Sequence, residues 1–185
     1  HVVWNYEGHV LLQELGQELR LLDAEGPAAR GRVRLIGRHA GPALAVWKTS
    51  EGIRSLALQG PDAAPSPCGS GSLLGAVEDL RPGQGFWLLL NTGEQAVLRP
   101  LDGLGRVSGA DVALLDAPLG YLDLASWSQG LALVRQERTG KPLEGIPGGP
   151  LRLHLYSADG STSLRPPMIV SAPEAKMLAP RVVGG

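Results

Sequence analysis

The residues of this chain with chemistry to offer are few. They are one cysteine, Cys68, four histidines, His1, His9, His39 and His154, and one adjacent carboxylate pair, Glu78-Asp79. Thiolates and imidazoles hold zinc when they recur at short, fixed spacings. None of the four histidines stands at such a spacing from another His, from Cys68 or from a carboxylate. His154 lies between Leu153 and Leu155, and simple alternation turns it toward solvent, away from the apolar set. His39 precedes Ala40-Gly41-Pro42 and reads as a turn residue. Adjacent carboxylates on a helix diverge, so Glu78 and Asp79 read as a solvated face rather than an acid/base pair. Gly69 to Gly71 lacks the Lys and the preceding strand of a phosphate loop. On these residues no catalytic group, no metal ligand and no cofactor is assigned, and Cys68 reads as a loop or half-buried thiol.

The elements that would position these residues are mostly strands. Residues 32–37, RVRLIG, alternate with period two. Ala43 to Lys48 and Ile53 to Leu58 form arms around Thr49-Ser50-Glu51-Gly52, and Phe86 to Leu90 and Gln95 to Leu98 around Asn91-Thr92-Gly93-Glu94, both hairpin-loop signatures. Val112 to Leu115, Gly120 to Leu124, Leu131 to Val134 and Leu151 to Tyr156 read as further strands, the last followed by an Asp159-Gly160 turn. A Gly- and Pro-rich connector, residues 135–150, joins Leu131–Val134 to Leu151–Tyr156. Residues 9–22, HVLLQELGQELRLL, suit either a helix or a hairpin turning at Gly16-Gln17, and Gly16 favours the hairpin. Residues 72–80, SLLGAVEDL, predict a short helix: Ser72 can cap it, Leu73, Leu74, Val77 and Leu80 share a face, and Pro82-Gly83 stops it. The fold class expected is therefore mainly β, a hairpin-rich sandwich or barrel-like set of sheets with one or two short helices, with α+β as the alternative. No repeat is evident at a fixed period.

Composition narrows the function. The 185 residues carry 17 Lys+Arg against 18 Asp+Glu, so no excess of positive charge exists to attract nucleic acid. No apolar run reaches the roughly 18 residues of a membrane span. With 26 Gly and 15 Pro the chain is rich in turns, and with one Phe its core must be aliphatic, with four Trp. The single Cys excludes an internal disulfide and leaves the compartment open. The chain opens on His1 rather than Met, as expected of a processed protein or an excised fragment. GPDAAPSPCGSG, residues 60–71, admits no regular element. It divides the chain into an expected N-terminal β subdomain (1–60), a linker (61–71), a C-terminal β-rich subdomain (72–164) and a Pro-rich extended tail (165–185), unless the whole is one domain.

Two local resemblances bear on activity. GIPGGPL, residues 145–151, is similar to the nucleophile loop GDSGGPL of chymotrypsin-like serine proteases, but Pro147 stands where the attacking Ser would be, and His39 and Asp111 are not spaced as that family requires. GKPLEGIPGGPLRLHL, residues 140–155, resembles the segment G-K-P-L, four residues, G-G-P-L-R-L of the molybdopterin-binding domain of the sulfite-oxidase family. ADVALLDAPLGYLDLASW (110–127) is similar to the strand, Gly-Tyr and strand pattern before that segment, and VLRPLDGLG (97–105) to the family's short helix. Cys68 stands well ahead of that stretch, where the family places its molybdenum-ligating Cys. The resemblance implies a molybdopterin cofactor held with Cys68 as ligand, and it covers about a third of the chain. GSGS at 69–72 replaces the family's aromatic and basic residues, and SADGSTSLRPP replaces its Lys-rich strand, so a relative without cofactor is the other form of this reading.

The expectation preferred is a non-catalytic structural or interaction module acting by binding or assembly, such as a component of a tail, fibre, pilus or cell surface. Its partners would be other protein subunits, with neither nucleic acid nor a membrane span. Its setting would be extracellular, periplasmic or virion-associated. The divergent molybdopterin-domain-like protein is the alternative.

Overall fold

A computed structural model describes residues 1–14, 16–23, 27–60, 63–116, 121–136 and 149–171. Among them are fifteen strands and no helix, arranged as four small antiparallel sheets. The first sheet holds β1 (Val2–Tyr6), β2 (His9–Gln13) and β3 (Arg20–Leu21). The second holds β4 (Ala29–Ile36), β5 (Leu44–Thr49), β6 (Ile53–Ala57) and β7 (Ser66–Pro67). The third holds β8 (Ser72–Glu78), β9 (Phe86–Asn91), β10 (Gln95–Leu101) and β11 (Val112–Asp116). The fourth holds β12 (Leu122–Trp127), β13 (Gly130–Gln136), β14 (Leu151–Tyr156) and β15 (Met168–Ile169). Within every sheet the strands lie side by side in chain order. The chain is mainly β, as its turns and alternation predict, without a closed barrel.

The sheets stack face to face in the same order. Alternate residues of β5 serve two cores: Leu44 and Val46 pack with Phe86, Leu88 and Leu90 of β9, while Ala45 and Trp47 pack with Val10, Leu12 and Leu22. β9 is shared in turn, with Trp87 and Leu89 meeting Leu122, Leu124, Leu131 and Leu133 of the fourth sheet. A strand buried on both faces cannot alternate polar with apolar, and the unbroken run FWLLL reads accordingly. The first strands of successive sheets touch, β1 against β4, β4 against β8 and β8 against β12. Stacked meanders with neighbouring first strands have the layout of consecutive blades of a β-propeller. The repeat is thus architectural, with second strands opening at Leu44, Phe86 and Gly130, although no sequence repeat accompanies it.

Several expectations change. The predicted helix at 72–80 is the strand β8. A β-bulge between Leu73 and Gly75 shifts its register against β9. As a result Leu73 and Ala76 face one core while Leu74 and Val77 face the other. The bulge spaces same-face residues three apart, which imitates helical periodicity. Val97 to Leu101, within the stretch likened to a short helix, belongs to β10. Residues 9–22 form the hairpin rather than the helix, Leu11 pairing with Leu21 and Leu12 with Arg20. A tighter hairpin precedes it: Tyr6 pairs with His9 across Glu7-Gly8, both at positive φ (50° and 87°), the conformation that two-residue turns between twisted strands require. The expected linker holds β7 and the buried Cys68, and it crosses between sheets that share one core. Of the tail, Met168–Ile169 adds to the fourth sheet as β15, and residues 172–185 lie outside the described set. Among the described residues no helix is long and apolar enough to cross a membrane.

Candidate functional site: a cleft at the ends of the first strands

The last residues of β4, β8 and β12, with the turns that follow them, converge on one cleft of about 860 Å³. Such a volume suits a small ligand or a few residues of a peptide. Its walls include Arg38 and His39 after β4, Glu78 to Gln84 at the end of β8, and Ser126 to Ser128 at the end of β12.

Two fixed ion-pair systems shape it. The Glu78 side chain, 12% exposed, accepts the His39 backbone N–H through both oxygens (3.0 and 3.2 Å) and meets His39 Nδ1 at 2.5 Å, with Arg38 Nε at 3.9 Å. Arg38 donates from Nη2 to the Gln84 carbonyl, and its guanidinium lies 5.7 Å from the centre of the Phe86 ring. Asp79, its side chain 3% exposed, accepts two bonds from Arg81 Nε (3.0 and 3.2 Å), one from Nη2 (2.6 Å) and one from the Arg81 backbone N–H. The hydrogen bonds from Asp79 hold Arg81 above its ordinary pKa. Arg81 also stacks over Trp87, 5.1 Å from the ring centre.

Glu78 and Asp79 therefore do diverge, but on a strand end, and each captures its own arginine instead of facing water. His39 is a turn residue as expected, its ring 84% exposed with Nδ1 tied to Glu78. That leaves Nε2 toward the solvent side as a donor or acceptor for a bound group. The two arginines are balanced by the two carboxylates, so the cleft recognises by directed hydrogen bonds and stacking more than by net charge. Arg38, Arg81 and Trp127 were not singled out from the sequence. The one local signal was the Asp79-Leu80-Arg81-Pro82-Gly83 turn, whereas the approach of His39 to Glu78 spans two sheets.

Cys68 lies elsewhere, fully buried between the second and third sheets. Its Sγ donates to Ser55 Oγ at 3.1 Å and lies 3.6 Å from the Gly105 carbonyl, which also accepts the Ser55 hydroxyl at 2.5 Å. Burial pushes the thiol pKa up, and the Ser55 contact and Arg99 offset only part of this. Gly105, at φ 81°, closes the pocket, because a Cβ there would stand 2.6 Å from Leu44 and 2.9 Å from the Ser55 hydroxyl. Arg99 ties Cys68 to Asp111, donating Nη1 to the Cys68 carbonyl and Nε and Nη2 to the Asp111 carboxylate. A sulfur enclosed in this way, held as a thiol among aliphatic side chains, does not fit the role of a pterin-held metal ligand. The half of the GKPLEGIPGGPL segment that carries most of that resemblance, residues 140–148 with Pro147, lies outside the described residues.

His154 corrects another expectation. It is buried, facing the third sheet beside Tyr156, with the two rings parallel within 4° at 6.3 Å. Simple alternation assigned the apolar set Leu151, Leu153 and Leu155 to the core side, but His154 and Tyr156 share the inward face with Leu131 and Leu133. Burial raises the Tyr156 pKa, and its hydroxyl reaches the Leu114 carbonyl at 3.4 Å. His1 pairs with Glu14 (3.1 Å), and His9 lies 3.9 Å from Asp23. The structure thus joins His39 to Glu78, and Cys68 to Asp111 through Arg99, but places neither His154 nor Cys68 in the cleft. Among the described residues no group of three His, Cys, Asp or Glu side chains could hold a metal ion. No family model matches the chain, and no curated protein matches it either.

Proposed function

We propose that the protein is a non-catalytic interaction module that assembles with other protein subunits, of the kind that serves in tails, fibres, pili or cell surfaces, and that the cleft is its recognition site for an extended segment of a partner. The observation that carries this reading is the convergence of three sheets on a cleft whose Arg38–Glu78–His39 and Arg81–Asp79 pairs are already fixed. Groups fixed before binding lose little freedom on binding. Around them stand Trp127 and the exposed side chains of Leu35 and Leu80. Aromatic, arginine and aliphatic groups in one concave patch are the residue types that carry binding energy at protein interfaces.

Selection of a random peptide library displayed on phage against the immobilised protein tests this. Enriched peptides should bind the wild-type chain and lose at least about tenfold in affinity to Arg81→Glu and Trp127→Ala, a difference of about 1.4 kcal/mol. Enrichment of no sequence, or of peptides indifferent to both substitutions, would remove the cleft as the recognition site.

A further inference from the structure

The second and third sheets bury both faces, whereas the first buries one. The inward side of β1–β3 supplies Val10, Leu12 and Leu22 to a core. The cross-strand register puts Val2, Trp4 and Tyr6 of β1, Leu11 of β2 and Leu21 of β3 on the other side, with Trp4 opposite Leu11 and Leu11 opposite Leu21. Val2, Tyr6 and Leu21 are 61%, 60% and 42% exposed, and Trp4 and Leu11 are half-buried.

From this we infer that the outward face of β1–β3 docks the same face of a second copy of this chain, forming a two-fold dimer. Every joint in the stack is an apolar sheet face laid on another, so the dimer continues a contact the molecule already makes three times. The far end of the stack offers no equivalent open face: Val134, Leu151 and Gln136, on the side of the fourth sheet away from the third, are buried. Head-to-tail stacking therefore lacks a counterpart, and a single apolar face is completed by its own copy across a two-fold axis. Charge permits this, because the groups flanking the patch are opposite-sign pairs, His1 with Glu14 and His9 near Asp23, so no block of like charge meets its own image. Three short strands do not reach the ~800 Å² per partner of a standard interface, so the association is weak and reversible. This inference stands apart from the cleft, which lies on other elements.

Sedimentation equilibrium of the whole chain, from micromolar to near-millimolar concentration, tests it. The wild type should fit a monomer–dimer equilibrium, and Trp4→Glu and Tyr6→Lys should each weaken it by at least about tenfold. Ile169→Lys, on the exposed edge strand β15, should leave it unchanged. If Trp4→Glu fails to fold, Tyr6→Lys at its exposed position carries the test alone. A wild type that stays monomeric throughout, a dimer that survives the face substitutions, or one lost in Ile169→Lys would each overturn the proposal.

Discussion

The third sheet and the first are built from strands of similar length and the same antiparallel pairing, yet their surroundings differ. In β9 every residue from Phe86 to Leu90 is at most 2% exposed, because sheets cover it on both sides. In β2 only Val10 and Leu12 are buried. Position in the stack, rather than strand propensity, sets how much each sheet contributes to stability: an interior sheet is held by two cores and a terminal sheet by one. The cleft lies where the interior sheets end, so its ion pairs sit on the most firmly held part of the molecule.

Tryptophan truncation should break the comparison most visibly if it is wrong. Trp87→Ala removes a ring that is 2% exposed and should cost about 3–5 kcal/mol in equilibrium chemical denaturation. Trp4→Ala, on the open face of the first sheet, should cost no more than about 1 kcal/mol. Equal losses at the two sites would erase the distinction between interior and terminal sheets.

That contrast was partly legible in the sequence. The run FWLLL around Trp87 signalled a strand, and Asn91-Thr92-Gly93-Glu94 signalled its turn, because both are local patterns. The side each residue faces was less legible. At Leu73 to Val77 the bulge replaced a two-residue period with three, and at His154 both faces of the sheet had apolar claims, so alternation did not say which one looked inward. The cleft was hidden for another reason. Its pairs join residues from different sheets, and only the stacking brings the turn after β4 to the end of β8.

Cys68 sharpens the comparison next. Cys68→Ser places a more strongly polar hydroxyl in an aliphatic core and should cost about 1–3 kcal/mol. The native thiol should react with a disulfide reagent far more slowly than a free cysteine, since it is enclosed and stays protonated. The pH dependence has a definite sign. The unfolded thiol ionises near its ordinary pKa of about 8.5, while the folded one holds its proton to higher pH. The Cys68 contribution is therefore complete below that value and falls as pH rises from it toward the folded pKa.

At the cleft, Glu78→Gln keeps the shape and removes the charge that faces His39 and Arg38. It should cost on the order of 1 kcal/mol by chemical denaturation, while leaving the far-ultraviolet circular dichroism unchanged. The smallest effect is expected at the turn after β14. Asp159 accepts hydrogen bonds from the Ser157 and Ser161 hydroxyls and the Ser161 backbone N–H, which lower its pKa to about 2. A depressed carboxyl stabilises the fold above its unfolded pKa and loses that contribution as pH falls toward about 2. The group is exposed, so the loss should be barely measurable by denaturation, and a carboxyl-resonance titration by NMR is the direct check.

Native-state hydrogen exchange tests the stacked arrangement most directly. Amides of β5 and β9 should exchange only through global unfolding, with the largest protection in the chain, while those of β1–β3 should open locally at a lower free energy. Protection that is uniform across the sheets, or greatest in β1–β3, would contradict a stack whose interior sheets are held from both sides.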